Sequence, residues 1–185
     1  MLRAANLPIF ILPPSLPKPP MIRPATPADA AAICSIYNPY VLRTPVTFEE
    51  EEVGAAEMAA RMAEVQREFP WLVLEREGRV AGYAYAGRFR TRCSYRHTAE
   101  TTVYVEEASA GRGIGSALYG TLIPMLWDLS MHSLVAGIAL PNPGSVALHE
   151  KFGFRKVAHL AEVGRKFDRW IDVGYWELIG ERRAH

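Results

Sequence analysis

Three glycines, Gly111, Gly113 and Gly115, fall within five residues, shortly after the run Val103-Tyr104-Val105 and at the start of an amphipathic segment. A turn of this kind lets several backbone N–H groups converge on one spot, and the helix that follows adds the partial positive charge of its N-terminus. A side chain at such positions would hold an anion away, so glycine is the residue type the turn needs. The chemistry this suits is the binding of a pyrophosphate. A tight strand–helix connection without a ligand would also use glycines, so the turn needs support from elsewhere in the chain. It is not a Walker loop, because no Gly-Lys-Ser/Thr follows. A dinucleotide fingerprint would belong to the first strand of a parallel unit, whereas here an antiparallel meander comes first.

Glu100 stands on the strand-like run Ala99 to Val105, among Thr and Tyr residues. Partial burial there would raise its pKa toward the range useful to a general base; a structural pairing with His97 or Arg96 is the alternative. Arg90 and Arg92, one residue apart, are expected to share a strand face and to grip a carboxylate with forked hydrogen bonds. Plain solvent exposure is the competing reading for both. Cys93 lies close by, but nothing supplies the His/Asp arrangement that a cysteine nucleophile needs. Cys34 and Cys93 have no metal or redox spacing and read as reduced thiols of a cytoplasmic protein. The five histidines form no His-x-x-x-His pair, so no metal site is expected.

The elements that must position these groups follow from period and punctuation. Met21 to Arg23 reads as a short strand. Thr26, Pro27 and Asp29 then open a helix as N-cap, first helical residue and capping-box acid. Its buried stripe is Ile33, Ile36, Tyr37 and Tyr40. Thr44 to Phe48 is a connecting loop, and a second helix spans about 55–68. Glu49 to Glu52, four acids ahead of that helix, read as complements to its dipole. Runs 71–76 and 79–88 are strands joined by the hairpin signal Glu77-Gly78. After 99–105 and the glycine turn comes a helix over 113–129, with a kink expected at Pro124. Strand 133–140, helix 143–152, strand 154–162 and strand 170–179 complete the order. This is an α/β pattern with a mixed sheet.

Composition bounds the rest. The chain has 185 residues, a formal charge of +1 and 49% hydrophobic residues, which describes one globular domain with no basic face for nucleic acid. No run of about 18 apolar residues exists, so no membrane span is expected. Residues 1–20 are interrupted by Pro8, Pro13, Pro14, Pro17, Pro19 and Pro20 and read as a disordered or extended leader, with Met21 a candidate natural start. The domain is expected over 21–180, with a short polar tail at 181–185.

Arg112-Gly113-Ile114-Gly115-Ser116-Ala117-Leu118 after a Val-Tyr-Val strand resembles the acetyl-CoA loop of the Gcn5-related N-acetyltransferases (GNAT). Asn142-Pro143-Gly144-Ser145 and His149-Glu150-Lys151-Phe152-Gly153-Phe154 resemble the family's later helix and the strand after it. Further stretches are similar to the phosphinothricin and methionine sulfoximine N-acetyltransferase branch. They are Thr44 to Glu49, Phe89 to Arg92, Tyr95 to Val105, Gly137 to Asn142 and Gly164 to Trp176, and the likeness covers about 21–179. One departure is Ala110, where the family usually has Gln or Arg.

The resemblance implies a mixed, mostly antiparallel central sheet flanked by helices, with acetyl-CoA as acetyl donor. It implies cofactor contacts from Val103, Tyr104, Val105, Gly111, Arg112, Gly113, Ile114, Gly115, Ser116, Asn142 and Ser145. Glu100 is then the catalytic base, acting through water, on the primary amine of a small amino-acid-like acceptor. Phe48, Arg90, Arg92 and Tyr95 are expected to line the acceptor pocket. His149 stands where many relatives carry a tyrosine that protonates the leaving thiolate, and it reads equally well as a packed helix histidine. A homodimer with the site near its interface is expected on the same ground. A peptide N-terminus or arylamine as acceptor, or a regulator that binds acetyl-CoA without turnover, stays open at this point.

Overall fold

The computed structural model describes residues 19–180; the proline-rich stretch up to residue 18 and the tail 181–185 lie outside the described residues. The elements are β1 (Met21–Pro24), α1 (Ala30–Arg43), α2 (Ala55–Val65), β2 (Trp71–Arg76), β3 (Arg79–Arg88), β4 (Thr98–Val105), α3 (Ile114–Asp128), β5 (Ser133–Ala139), α4 (Pro143–Lys151), β6 (Arg155–Lys166) and β7 (Arg169–Ile179). The strands form one seven-stranded sheet in the order β1-β2-β3-β4-β5-β7-β6. Every neighbouring pair is antiparallel except β4 and β5. The mixed, mostly antiparallel sheet expected from the sequence is therefore present.

Side-chain alternation divides the core between the two faces. Gly82, Ala84 and Ala86 of β3 and Ala99 and Val103 of β4 face α3, whose Ile114, Leu118, Leu122 and Leu126 pack on them. Tyr83 and Tyr85 of β3 and Tyr104 of β4 face α1 and α2, against Ile33, Tyr37, Val41, Met58 and Met62. Small residues on one face let α3 approach closely. A Cβ at Gly82 would sit 2.7 Å from Ile114 Cγ2 and 3.1 Å from the Tyr104 carbonyl oxygen. The other face is filled by aromatic rings, Trp71 stacking on Tyr85 with centroids 4.0 Å apart and Tyr83 on Tyr104 at 5.5 Å.

Several boundaries differ from expectation. Pro27–Asp29 forms a 3-10 turn, so α1 starts at Ala30. The Asp29 carboxylate still accepts from the Thr26 N–H at 2.7 Å, which closes the turn as a capping acid should. α2 ends at Val65 rather than near 68, and Phe69 packs on the α3 face instead of continuing the helical stripe. α3 runs through Pro124 from Ile114 to Asp128. β6 continues past Glu162 to Lys166 because irregularities at 156–158 and 160–164 absorb the extra residues and restore pairing with β7. β3 stops at Arg88, so Arg90 and Arg92 do not share a strand face; the last β3–β4 pair is Arg88 with Ala99.

Arg23 and Asp29 tie β1 to the start of α1. Two parallel hydrogen bonds of 2.8 and 2.7 Å join them, and Arg23 also reaches Glu75 on β2. Hydrogen bonds from Arg23 hold the buried Asp29 carboxyl down to about 2, against the burial that would raise it. The unfolded chain binds more protons than the folded one between the ordinary value and this one, so the contribution is full above about pH 4 and is lost toward pH 2. Asp29→Ala should lower unfolding free energy by about 2–4 kcal/mol in urea denaturation at neutral pH. Its deficit against wild type should shrink as the pH falls through that window.

Candidate active site

β4 and β5 are hydrogen-bonded for only three residues, Thr98 with Ser133, Ala99 with Leu134 and Glu100 with Val135. Beyond Glu100, β4 continues to pair with β3 as far as Val105, while β5 continues with β7 as far as Ala139. The two central strands therefore splay, leaving a slot between them. The Glu106 N–H bonds to the Ala81 carbonyl across on β3. By strand alternation the N–H groups of Val103 and Val105 point the other way, into the slot, and that of Tyr104 does not. The Val105 carbonyl, which has no β5 partner, accepts from the Tyr40 hydroxyl at 2.7 Å.

Two helices begin at the mouth of this slot. At α3, Gly111 and Gly113 adopt left-handed conformations with φ of 75° and 80°, which only glycine enters at little cost. Ala117 makes the first helical turn bond, to the Gly113 carbonyl, so the N–H groups of Ile114, Gly115 and Ser116 have no intrahelical acceptor. Ile114 is itself a core residue, while Arg112 projects outward beside Arg76, Glu77 and Arg79. A Cβ at Gly115 would lie 3.0 Å from Leu148 Cδ2, so glycine there lets α4 pack close. Lys151 at the end of α4 donates to the Ser116 hydroxyl at 2.9 Å. At α4, Asn142 caps the helix by accepting from the Ser145 N–H at 3.1 Å. Its side-chain oxygen is thus engaged and its amide N–H groups are the part left to donate.

Two helix N-termini, free first-turn N–H groups and a strand edge with inward donors form a cradle for an extended anionic ligand. The residues present fit acetyl-CoA: the glycine turn would suit its pyrophosphate, and the β4 edge its amide-bearing arm. Ala110 sits ahead of the left-handed turn, and its N–H is spent on the Glu107 carbonyl at 3.2 Å.

Glu100 marks the point where the strands part. Its carboxylate lies on the α1/α2 face, with Oε1 3.5 Å from where a Cβ of Gly137 would be; the Tyr175 ring lies 3.4 Å from the same point. Gly137 on β5 thus vacates the space those two side chains occupy. Burial pushes the Glu100 carboxyl above the usual carboxylate range, with the Arg90 guanidinium pulling the other way. The structural pairing with His97 or Arg96 does not form. His97 Nδ1 meets the Ser130 carbonyl at 3.1 Å, and Arg96 donates to the Cys93 carbonyl at 3.3 Å.

The remaining site residues divide. Arg90 is exposed, stacks its guanidinium over Phe89 at 4.8 Å and reaches Glu100 electrostatically. Tyr95 is edge-on to the same Phe89 ring at 6.0 Å. Arg92 is exposed at the start of a short 3-10 turn, Cys93–Tyr95, and no contact brings it to Glu100. Phe48 lies over Gly164 of β6, where an added Cβ would stand 2.3 Å from its ring. Glu49, read as a dipole complement, instead accepts from Tyr37 at 3.0 Å and from Arg61 at 2.7 Å. Although burial alone would raise the Glu49 carboxyl, those hydrogen bonds bring it below the ordinary range. Glu49 and Arg61, with Tyr37, Trp71, Tyr83 and Tyr85, line a cavity of about 330 Å³. Sequence reasoning missed Gly164 and the role of Gly137; an isolated glycine within a strand is the signal that points to close approach.

His149 is buried with both ring nitrogens engaged. Nδ1 donates to the Ser145 carbonyl at 2.7 Å, which leaves Nε2 to accept from the Tyr119 hydroxyl at 2.9 Å. Phe154 and Tyr119 pack edge-on against the ring. Of the two readings, the structure favours the packed histidine. Burial lowers its pKa, with the Ser145 bond opposing, so it stays neutral near pH 7. The unfolded chain binds the extra proton below the ordinary 6.5, so stability falls as the pH drops from there. His149→Phe should cost about 1–3 kcal/mol in thermal or urea unfolding, by removing the Ser145 carbonyl's partner and one of the two partners of the Tyr119 hydroxyl, the other being Thr101, and should flatten that acid slope. Turnover per folded molecule should stay within about twofold of wild type.

Comparison with known proteins fits this geometry. A family model described as acetyltransferase (GNAT) domain matches residues 22–174. A phosphinothricin N-acetyltransferase of Streptomyces viridochromogenes is 42% identical over 160 residues, covering 86% of this chain and 87% of that protein. An L-methionine sulfoximine/L-methionine sulfone acetyltransferase of Salmonella typhimurium is 39% identical over 164 residues, covering 88% and 96%. A Salmonella typhimurium acetyltransferase solved with its cofactor acetyl-CoA superposes with a TM-score of 0.86 at 37% identity, covering 90% and 96% of the two chains.

Proposed function

This chain belongs to the GNAT acetyltransferase family and is an acetyl-CoA-dependent N-acetyltransferase, and from that premise we propose that it acetylates the α-amine of small amino acids bearing a polar oxo group. Phosphinothricin, methionine sulfoximine and methionine sulfone are the acceptors in view, because relatives covering most of the chain are named for them. The observation that carries the mechanism is Glu100: a half-buried carboxylate at the parting of β4 and β5, pushed above the usual carboxylate range by burial.

Acetyl-CoA supplies the thioester that is attacked. Glu100 takes the proton that the acceptor ammonium must lose, through a bridging water. The inward N–H groups of Val103 and Val105 polarise the carbonyl and hold the charge that develops on its oxygen. The N-terminal end of α3 favours the pyrophosphate, and that of α4 the negative charge left on sulfur. Arg90, beside Glu100, holds the acceptor's carboxylate, and Tyr95 and Phe48 close the pocket around its side chain. Transfer is direct, with no acyl-enzyme on Cys93.

The protein acts as a homodimer in the cytoplasm, where acetyl-CoA is available. Support for the dimer comes from the exposed apolar side chains along β6 and its hairpin with β7, namely Val157, Leu160, Val163, Phe167 and Trp170. An edge strand with such a surface is one that proteins usually cover. Among the described residues no helix is long and apolar enough to cross a membrane.

Thiol release from acetyl-CoA should be followed against phosphinothricin, methionine sulfoximine, methionine sulfone, an arylamine, spermidine and a short peptide. Release is expected with the first three; release only with another amine would overturn the acceptor assignment. Glu100→Gln should lower kcat by roughly 10²–10⁴-fold and erase the acid limb of the pH–rate profile. Arg90→Ala should raise the acceptor KM by about tenfold. It should also move the acid limb to higher pH, because the cation that lowers the Glu100 pKa is gone. An unmoved limb would separate Arg90 from Glu100.

A further inference from the structure

Lys166, the last residue of β6, is 3% exposed, yet no carboxylate lies within ion-pair distance of it among the described residues. Its ammonium donates instead to two backbone carbonyls, those of Thr47 at 2.8 Å and Glu49 at 2.7 Å. Both belong to the segment between α1 and α2, so a cation from one end of the sequence is spent on the main chain of a loop well over a hundred residues earlier. Burying an ammonium costs several kcal/mol unless something strong compensates, and carbonyl dipoles on a loop are an unusual choice where the chain has acids nearby. Glu49 and Glu50 contribute attraction at longer range, and the Phe167 ring lies 5.2 Å from the ammonium.

The same strand makes a second contact with the same loop. Phe48, the residue between the two carbonyls, rests its ring on the bare backbone of Gly164, where any Cβ would overlap it. The other side of the loop is held from α1 and α2: Tyr37 shares a 2.7 Å hydrogen bond with Thr47, and Tyr37 and Arg61 both bond the Glu49 carboxylate. Three successive residues, Thr47, Phe48 and Glu49, are thus fixed between the β6–β7 hairpin and the helices. Neither element alone supplies the fit. Phe167 and Asp168 turn the chain with φ of 51° and 55°, so that Lys166 is followed at once by β7 and has no slack.

We propose that Lys166 and Gly164 are positioning residues for the acceptor: they staple the α1–α2 loop to the sheet so that Phe48 and Glu49 are presented as a fixed wall of the acceptor pocket. Their contacts are with the loop, Lys166 with Thr47 and Glu49 and Gly164 with Phe48, and not with Glu100 or the glycine turn. The inference rests on the reading above that Phe48 faces the acceptor. It implies that acceptor affinity, and not cofactor affinity or the chemical step, depends on a lysine in the β6–β7 hairpin.

Two measurements test this on the full-length protein. Lys166→Met keeps the aliphatic stem and removes the donors. Its acceptor KM should rise by about tenfold, while kcat and the KM for acetyl-CoA stay within about twofold. Gly164→Ala, which adds one methyl under Phe48 and leaves the ammonium intact, should give the same split and serves if Lys166→Met does not fold. Hydrogen exchange read by mass spectrometry should show residues 44–54 exchanging about tenfold faster in either variant, with residues 110–118 unchanged. Unchanged exchange at 44–54 overturns the staple, as does loss of protection in both segments together. A parallel rise in both Michaelis constants overturns the positioning role. If the wild type acetylates none of the amines tested, the acceptor assignment falls, and the exchange result still decides the staple by itself.

Discussion

The site exists because β4 and β5 stop pairing after Glu100 and Val135. A parallel pair that continued would satisfy the inward N–H groups of Val103 and Val105 and leave nothing to bind a ligand. The separation is stabilised rather than merely tolerated. The Val105 carbonyl finds the Tyr40 hydroxyl in place of β5, and β5 stays fully paired with β7. An unpaired buried backbone group would cost about 1–3 kcal/mol, so the Tyr40 bond is what lets the end of β4 stand alone. The glycine turn and α3 follow directly from that end, and α4 follows from the end of β5, so both helix N-termini open on the same slot.

Packing on the two faces serves two different purposes. On the α3 face the strands present small residues, and the helix comes close enough that Ile114 lies under Gly82. That closeness fixes where the first turn of α3, with its free N–H groups, points. On the α1/α2 face the strands present aromatic rings, and polar groups ride on top of them. Glu100, Tyr85 and the Tyr37–Glu49–Arg61 network all belong to this face. On the proposed reading, anionic cofactor and amino-acid acceptor are served by opposite faces of one sheet and meet where β4 and β5 part. The division also explains why Glu100 can be desolvated without disturbing the positive ends of the helices.

Charge is used sparingly inside this protein. Asp29 is buried but bridged by Arg23, His149 is buried and neutral, and Lys166 is buried against carbonyl oxygens. Each of these three groups has partners that suit one protonation state only. Glu100 differs, since its surroundings act on the carboxylate mainly through burial, with Arg90 opposing. That contrast, more than its position in the chain, singles it out chemically.

Much of this was legible in the residues. The glycine turn ahead of α3, the strand that carries Glu100 and the helix that begins at Pro143 are all read from the residues. Such features depend on a few neighbouring residues and on steric rules that operate locally. Other features depend on which strand meets which. Arg90 and Arg92 looked strand-like, but β3 ends where its partner β4 begins at Thr98, so they fall in a loop. The extent of β6 to Lys166 is set by two irregularities in its pairing with β7, and no local signal marks them. His149 had two equally good readings until the Tyr119 hydroxyl and the Ser145 carbonyl were seen to occupy its nitrogens. The contact of Lys166 with Thr47 and Glu49 joins segments far apart in the chain, and only the assembled fold brings them together. Local conformation was thus determined by the sequence itself, because each residue's steric and capping preferences act within a turn or a strand. The splay of the central strands and the partners of each buried polar group were decided by tertiary structure, because they depend on pairings that no local window contains.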